Sequence, residues 1–431
     1  MKLRRQKIAE PAETRRQVER FFSSRGKTMS PEHSLHADSR VNCALYPKFR
    51  PSTSIKNVAL AYNKENALNA ICPYFTMFPL EYPNRVLKKH LKEEPIVLDP
   101  FCGRGTTLFS ARRFGLSAWG IDSSPVAVAI AKAKLASCDL EEPLKLAAKL
   151  IADTDPADVP ETLFFRSAYH RSTLRDICAL REGLLGLKNE TDASSILRAA
   201  ALGCLHGPLP KHVENAGYFS NQMPRTYASK PDYAVRFWKE RNLKAPKIDV
   251  LRVLRRKIER LAGLDQASPC PVSHVLQGDA QSEELFQSIS TAPSIVITSP
   301  PYYGMRTYVQ DQWLRNWFLG GPESIDYSAG PQLDHGGQQV FAASLGKVWK
   351  NIANSAESSD SLHMYVRFGI IPSALVDAKK LFRASLEESG VDWRLVSTRS
   401  AKTADVGKRQ ADQMKAESAA AVEFDFHVER I

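Results

Sequence analysis

The sequence predicts an α/β protein in which a doubly wound, mainly parallel sheet is split by a long helical stretch. Three observations predict it. Short apolar runs of strand length recur at Pro95–Leu98, Ser117–Ile121, Ser273–Gln277, Ser294–Ile297 and Leu362–Phe368. Two further runs, Val391–Ser397 and Ala421–His427, suit an antiparallel pair that closes the sheet and bring the strand count to seven. Between the second and third runs, from Asp139 to about Gln266, the pattern changes to helical periodicity.

Composition sets the outer bounds. The 431 residues are 43% hydrophobic and 25% charged, the balance of a soluble globular protein with room for one large domain plus an insertion, or for two or three domains. No apolar run approaches the roughly 18 residues that a membrane span needs. The opening Met1-Lys2-Leu3-Arg4-Arg5-Gln6-Lys7 has no apolar core behind its charges, and Glu10 and Glu13 argue against a transit peptide. The 7 cysteines are scattered and form no CxxC, which suits reduced thiols in a cytoplasm-like compartment better than disulfides or zinc. The net charge of +12 is concentrated in two places. Residues 1–50 and 205–265 each carry +7, which leaves the remainder at −2. Localised positive charge on an otherwise balanced chain points to a polyanionic partner met at defined places, although basic runs also serve as plain solvated surface.

The elements follow in order. Residues 1–55 are polar and basic with one helical pattern at Ala12–Phe22, and read as an arm. An aromatic turn at Ile71–Pro79, containing Phe75 and Phe78, opens a helix at Tyr82–Leu91. The first strand then runs into Asp99-Pro100-Phe101-Cys102-Gly103-Arg104-Gly105-Thr106-Thr107 and a helix through Arg113. Gly103 and Gly105 allow a tight turn close to a ligand, and Thr106 and Thr107 stand where a helix start leaves amides unpaired. The loop is not a P-loop, and Leu108 occupies the place of the third glycine of GxGxxG, so a pyrophosphate cradle is not expected. A smaller nucleoside with an amino-acid end suits it better. Asp122 ends the second strand where ribose hydroxyls are bound in doubly wound sheets, with a plain helix cap as the alternative. A helix follows at Val126–Ala136. After the fourth strand, Thr298-Ser299-Pro300-Pro301-Tyr302-Tyr303-Gly304 makes a rigid corner. It offers one hydroxyl, carbonyls without local donors, and two aromatic faces.

DPFCGRGTT at 99–107, together with TSPPYYG at 298–304, resembles the DNA amino-methyltransferases that use S-adenosylmethionine. Ser-Pro-Pro-Tyr is similar to the form found in members that methylate the exocyclic amine of cytosine, whereas adenine enzymes carry Asp or Asn at the first place. The matched motifs touch about half the chain. The resemblance implies a Rossmann-like class I methyltransferase with a seven-stranded, mostly parallel sheet, a closing antiparallel hairpin and a mainly helical insertion. It implies that Ser299, Pro300, Pro301 and Tyr302 engage the target base. Phe75, Phe78, Asp99, Pro100, Phe101, Gly103, Gly105, Thr106, Thr107, Asp122 and Asp279 would hold the cofactor. No metal is required.

The expected organisation is a basic arm at 1–55, a cofactor half at 56–138, a helical insertion at 139–268 and a catalytic half at 269–431. This order matches one of the family's permutations, in which such an insertion is often the target-recognition region. Helices are expected at Leu144–Ala152, Leu174–Leu187, Ile196–Leu205 and Val250–Leu261. Basic and aromatic residues alternate at Arg225, Tyr227, Lys230, Tyr233, Arg236, Phe237, Trp238, Lys239 and Arg241, a mixture suited to phosphate contact and stacking. Lys402 and Arg409 lie in a basic loop that is a further candidate for touching a DNA backbone. Asp311–Leu319 reads as a helix with Trp313 and Trp317 in the core. Pro269-Cys270 precedes the third strand instead of ending the fourth, so covalent cysteine catalysis is not expected. The expected partners are double-stranded DNA and a cognate restriction endonuclease or defence protein, in a prokaryotic cytoplasm. Adenine-N6 methylation, an RNA base methyltransferase and a non-catalytic DNA-binding scaffold stay open as alternatives.

Overall fold

The computed structural model describes residues 67–74, 79–261, 272–304, 308–325, 333, 336–359, 361–370, 375–401 and 422–431. The expected arm with its helix, together with Phe75, Phe78, Lys402 and Arg409, lies outside the described residues.

Seven strands form one sheet: β1 Val97–Asp99, β2 Ala118–Asp122, β3 Ser273–Gln277, β4 Ile295–Thr298, β5 His363–Ile370, β6 Trp393–Ser400 and β7 Val422–Arg430. Their order is β3-β2-β1-β4-β5-β7-β6. The first five strands pair in parallel, while β7 runs antiparallel to both β5 and β6. This is a Rossmann-like methyltransferase sheet. The chain steps outward from β1 to β3 on one side, then returns to place β4 on the other. That reversal opens a crevice at the carboxyl ends of β1 and β4, where such sheets bind ligands.

The short central strands are fully buried, as parallel strands covered on both faces must be. On one face, α1 (Glu81–His90) and α2 (Thr106–Arg113) share a core with Val97, Ile295 and Ile297. Next comes α3 (Pro125–Leu135), apolar on nearly all sides and therefore buried all round. The helical stretch contributes α4 (Glu141–Asp153), α5 (Leu163–Ala168), α6 (Arg171–Leu185), α7 (Asp192–Cys204), α8 (Pro231–Glu240) and α9 (Val250–Glu259). After the short α10 (Glu283–Gln287) come α11 (Tyr308–Asp311) and α12 (Trp313–Phe318), divided at Gln312 where one continuous helix was expected. On the other sheet face, α13 (Gln338–Ser355) and α14 (Ala378–Glu387) pack against Met364, Val366 and Phe368 of β5.

The helical stretch does not keep its own core. Phe165 of α5 packs on Trp317 of α12 with ring centroids 4.6 Å apart, and Ile130 of α3 belongs to the same cluster. Trp317 is 1% exposed. Full burial of a side chain this large stabilises by about 1.5–3 kcal/mol. Residues far apart in sequence are thereby fused into one body beside the crevice.

Candidate active site

The carboxyl ends of β1 and β4 are stitched together. Asp99 closes β1 with its side chain fully buried. Its Oδ1 accepts from the Thr298 hydroxyl at 2.6 Å and from the Phe101 amide at 3.2 Å. Thr107, at the start of α2, donates its hydroxyl to the Ile297 carbonyl at 3.2 Å. Asp99 Oδ2 is buried and makes no hydrogen bond among the described residues. Burial pushes the Asp99 carboxyl up to about 7, against the opposing bond from Thr298.

The glycine loop is fixed from the other side by Asp122. Its Oδ2 accepts from the Gly103 amide and its Oδ1 from the Ser124 amide, each at 2.8 Å. Burial raises this carboxyl to about 6. Asp122 is not the helix cap: Ser124 caps α3, accepting from the Ala127 amide at 3.4 Å with Pro125 at the first helical position. Gly105 sits at φ 74°, and a Cβ there would lie 2.9 Å from Ala131 Cα. Only glycine allows this loop to lie against α3. Pro100 and Thr106 are buried, and Phe101 is half-buried against the sheet core. At the end of β3, the Gly278 amide donates to the Asp122 carbonyl at 3.0 Å, and half-buried Asp279 accepts from the Gln281 amide at 2.9 Å.

The proline corner separates its two tyrosines. Ser299 is half-buried, and among the described residues neither its hydroxyl nor the Pro300 carbonyl takes part in a hydrogen bond. Pro301 is also half-buried. The Tyr302 ring lies on Gly369 of β5 so closely that a Cβ there would come within 2.8 Å of it, and its hydroxyl donates to Glu423 Oε1 of β7 at 2.6 Å. Tyr303 is half-buried against the sheet core, bridging Ile370 through its backbone and packing edge-on against Phe341 at 5.2 Å.

The basic and aromatic segment is anchored to the helices that follow this corner. Arg315 of α12, fully buried, donates to the carbonyls of Leu202, Thr226 and Arg225 and to Gln312 Oε1. Trp313 Nε1 donates to the Ser229 carbonyl at 3.2 Å. Arg225, Lys230, Arg236, Lys239 and Arg241 are exposed, and the Arg241 guanidinium stacks on Phe237 at 4.0 Å. Tyr227 is half-buried. Trp238 corrects the expectation of an accessible aromatic: it is 1% exposed and donates to the Gln222 carbonyl at 2.9 Å. Ala234 is buried four residues earlier on the same helical face, a spacing that marks that face as core. Sequence reasoning also assigned nothing to Thr298, Arg315 or Glu423. Each acts across a long sequence separation, and no local pattern signals it.

A sheet in this order, with a glycine loop after β1 and a Pro-Pro-Tyr corner after β4, defines a class I methyltransferase fold. Residues 15–133 match the model of the DNA methylase family. Over 87 residues, 20% of the chain, it is 33% identical to the Type II methyltransferase M.MjaII of Methanocaldococcus jannaschii, and the match spans 16% of that relative's length. Two structures of the rRNA methyltransferase AviRa from Streptomyces viridochromogenes align with 12% and 13% identity and TM-scores of 0.30 and 0.29. They cover 82% and 83% of this chain and 86% and 87% of theirs. Among the described residues, no helix is long and apolar enough to cross a membrane.

The methyl donor that this family implies is S-adenosylmethionine, and the residues present fit it. Asp99 Oδ2 is a buried carboxylate oxygen without a donor among the described residues, suited to the cofactor's ammonium. A Cβ at Gly103 would meet nothing within 4 Å, so the loop surface is open to approach.

Proposed function

We propose that this chain transfers a methyl group from S-adenosylmethionine to the exocyclic amine of cytosine in double-stranded DNA, giving N4-methylcytosine. The observation that carries this reading is the pair of acceptors, Ser299 Oγ and the Pro300 carbonyl, that make no hydrogen bond among the described residues, beside a loop fixed by the Asp99–Thr298 bond. An aromatic amine is a weak nucleophile because its lone pair is shared with the ring. Two acceptors placed on its protons would draw the nitrogen towards tetrahedral geometry and free that lone pair. When bound, the cofactor supplies an electrophilic methyl on a sulfonium. The N–C bond would form as the methyl–sulfur bond breaks to leave a neutral thioether, and the displaced amine proton would pass to water.

Asp99, Gly103, Asp122 and Asp279 would orient the donor, and Phe101 would pack on its methionine end. A base inside a duplex is out of reach and must be flipped out at a cost of about a few kcal/mol. Tyr302, held by Glu423, would receive it by stacking. Exposed Arg225, Lys230, Arg236, Lys239 and Arg241, anchored through Arg315 to the helix after the corner, would track phosphates. Lys402 and Arg409 would extend this contact. Serine at the head of the motif supports cytosine. The setting that follows is restriction-modification or a related defence system, with an endonuclease that the methylated site resists.

Incubating the protein with labelled S-adenosylmethionine and duplex DNA, then digesting to nucleosides, tests the reading. Labelled N4-methylcytosine is expected. N6-methyladenine would reassign the base, and label in transfer RNA but not DNA would refute it.

A further inference from the structure

The face of β5 turned towards α1 carries a ladder of polar side chains paired across to β7. Arg367 is opposite Asp425, Tyr365 opposite His427, and His363 opposite Glu429. The rungs differ in kind. Arg367 makes a bidentate pair with Asp425 at 2.7 and 3.0 Å, and Tyr365 stacks on His427 with centroids 4.2 Å apart. At the last rung three donor atoms converge. His363 Nδ1 lies 3.2 Å from His427 Nε2 and 3.2 Å from Glu429 Oε1, and His427 Nε2 lies 3.7 Å from the same oxygen.

We propose that His363, His427 and Glu429 form a binding site for a divalent transition-metal ion, zinc by preference, separate from the methyl-transfer crevice. Zinc bonds of about 2.0–2.1 Å in tetrahedral geometry hold their donors roughly 3.3 Å apart, which is the spacing seen here. Two neutral imidazoles and one carboxylate form a recurring zinc donor set that leaves a fourth position to water. The donors lie on two hydrogen-bonded strands, with His427 and Glu429 two residues apart and therefore on one face, so the sheet sets the spacing. The surroundings orient each donor. Arg394 holds Glu429 Oε2, which leaves Oε1 to the imidazoles. Tyr365 fixes the His427 ring by stacking, and its hydroxyl meets His90 Nε2 at 2.8 Å.

The site is remote from the proline corner. His363 pairs with Ile295 at the start of β4, whereas Ser299 follows its end. Four residues of strand separate them, roughly 13 Å at 3.3 Å per residue.

The test is titration of metal-stripped, full-length protein with zinc chloride, and cobalt(II) absorption as a second reading. One equivalent should bind with micromolar or tighter affinity, and cobalt should give tetrahedral d–d bands without a thiolate charge-transfer band. Glu429→Gln should weaken zinc at least tenfold, and His363→Ala/His427→Ala should abolish it. Cofactor affinity and methyl transfer should stay within twofold, which also shows that the variants fold. Zinc binding unaltered in the double variant, a thiolate band, or no binding at 100-fold excess zinc would each overturn the site.

Discussion

The glycine loop and the proline corner stand side by side at the ends of β1 and β4, and they are held by opposite means. In the loop, rigidity comes from hydrogen bonds: Asp122 grips the Gly103 amide, Thr107 reaches the Ile297 carbonyl, and Asp99 is tied to Thr298. Among the described residues, two buried side-chain atoms of this loop make no hydrogen bond, Asp99 Oδ2 and Arg104 Nε. In the corner, Pro300 and Pro301 fix the backbone without donating any bond, and among the described residues Ser299 Oγ and the Pro300 carbonyl are left unbonded. The loop is a mould whose shape matters; the corner is a set of atoms on offer. Substitutions in the first should therefore alter binding and folding, and those in the second the rate.

Gly105→Ala should have the largest effect. It forces a side chain into a left-handed conformation and against Ala131, so stability should fall by on the order of 2–3 kcal/mol. Cofactor affinity should fall at least about 100-fold. Thermal denaturation and calorimetric titration read both effects, and normal cofactor binding by this variant would falsify the mould. Ser299→Ala comes next: kcat should fall about 100-fold while the cofactor dissociation constant stays within twofold. A change in cofactor affinity of the same size would erase the distinction between the two regions.

Asp99 joins them, and its prediction is one of pH. Its carboxyl is raised to about 7 by burial, above its unfolded value of 3.8. Protonated Asp99 therefore favours the folded, cofactor-free chain below about pH 4, and that contribution is lost as pH rises to about 7. A cofactor ammonium at Oδ2 favours the ionised form. Affinity should then rise about tenfold between pH 5 and 7 with proton release, and Asp99→Asn should abolish the dependence. Titration in buffers of different ionisation enthalpy measures the released proton.

Tyr302→Phe keeps the ring and removes the Glu423 bond, so activity should drop only several-fold, on the order of 1 kcal/mol. Tyr302→Ala should cost considerably more in DNA affinity, since it removes the stacking face. Equal effects would show that the hydroxyl, not the ring, matters. The smallest effect belongs to Arg236→Ala. It should lower the salt dependence of DNA binding by about one unit of slope, with kcat at saturating DNA unchanged.

Much of this arrangement was legible in the sequence because its signals are local. Strands ending in Asp-Pro or Ser-Pro-Pro, glycines at fixed offsets and threonines at a helix start each carry their own physical reason. The seven strands lie near their expected places for the same cause, with ends shifted by a few residues; β5, for example, begins at His363 instead of Leu362 and continues to Ile370. What stayed hidden depends on register. Tyr302 and Tyr303 are adjacent and chemically identical, and only the pairing of Tyr303 with Ile370 decides which one packs against Phe341. The convergence of His363 with His427 and Glu429 needs the β5–β7 alignment, which no short window contains. Trp238 was a different failure: its helical spacing from Ala234 was readable but was outweighed by the surrounding charge.

The seat of Arg315 has a consequence for redesign. Its guanidinium joins the backbone at Leu202, Arg225 and Thr226 to the helix that leaves the proline corner. Residues 141–261 are therefore not a detachable cassette. A chimera that imports this stretch from another protein would bring foreign carbonyls to a buried cation, and would have to import 308–318 with it.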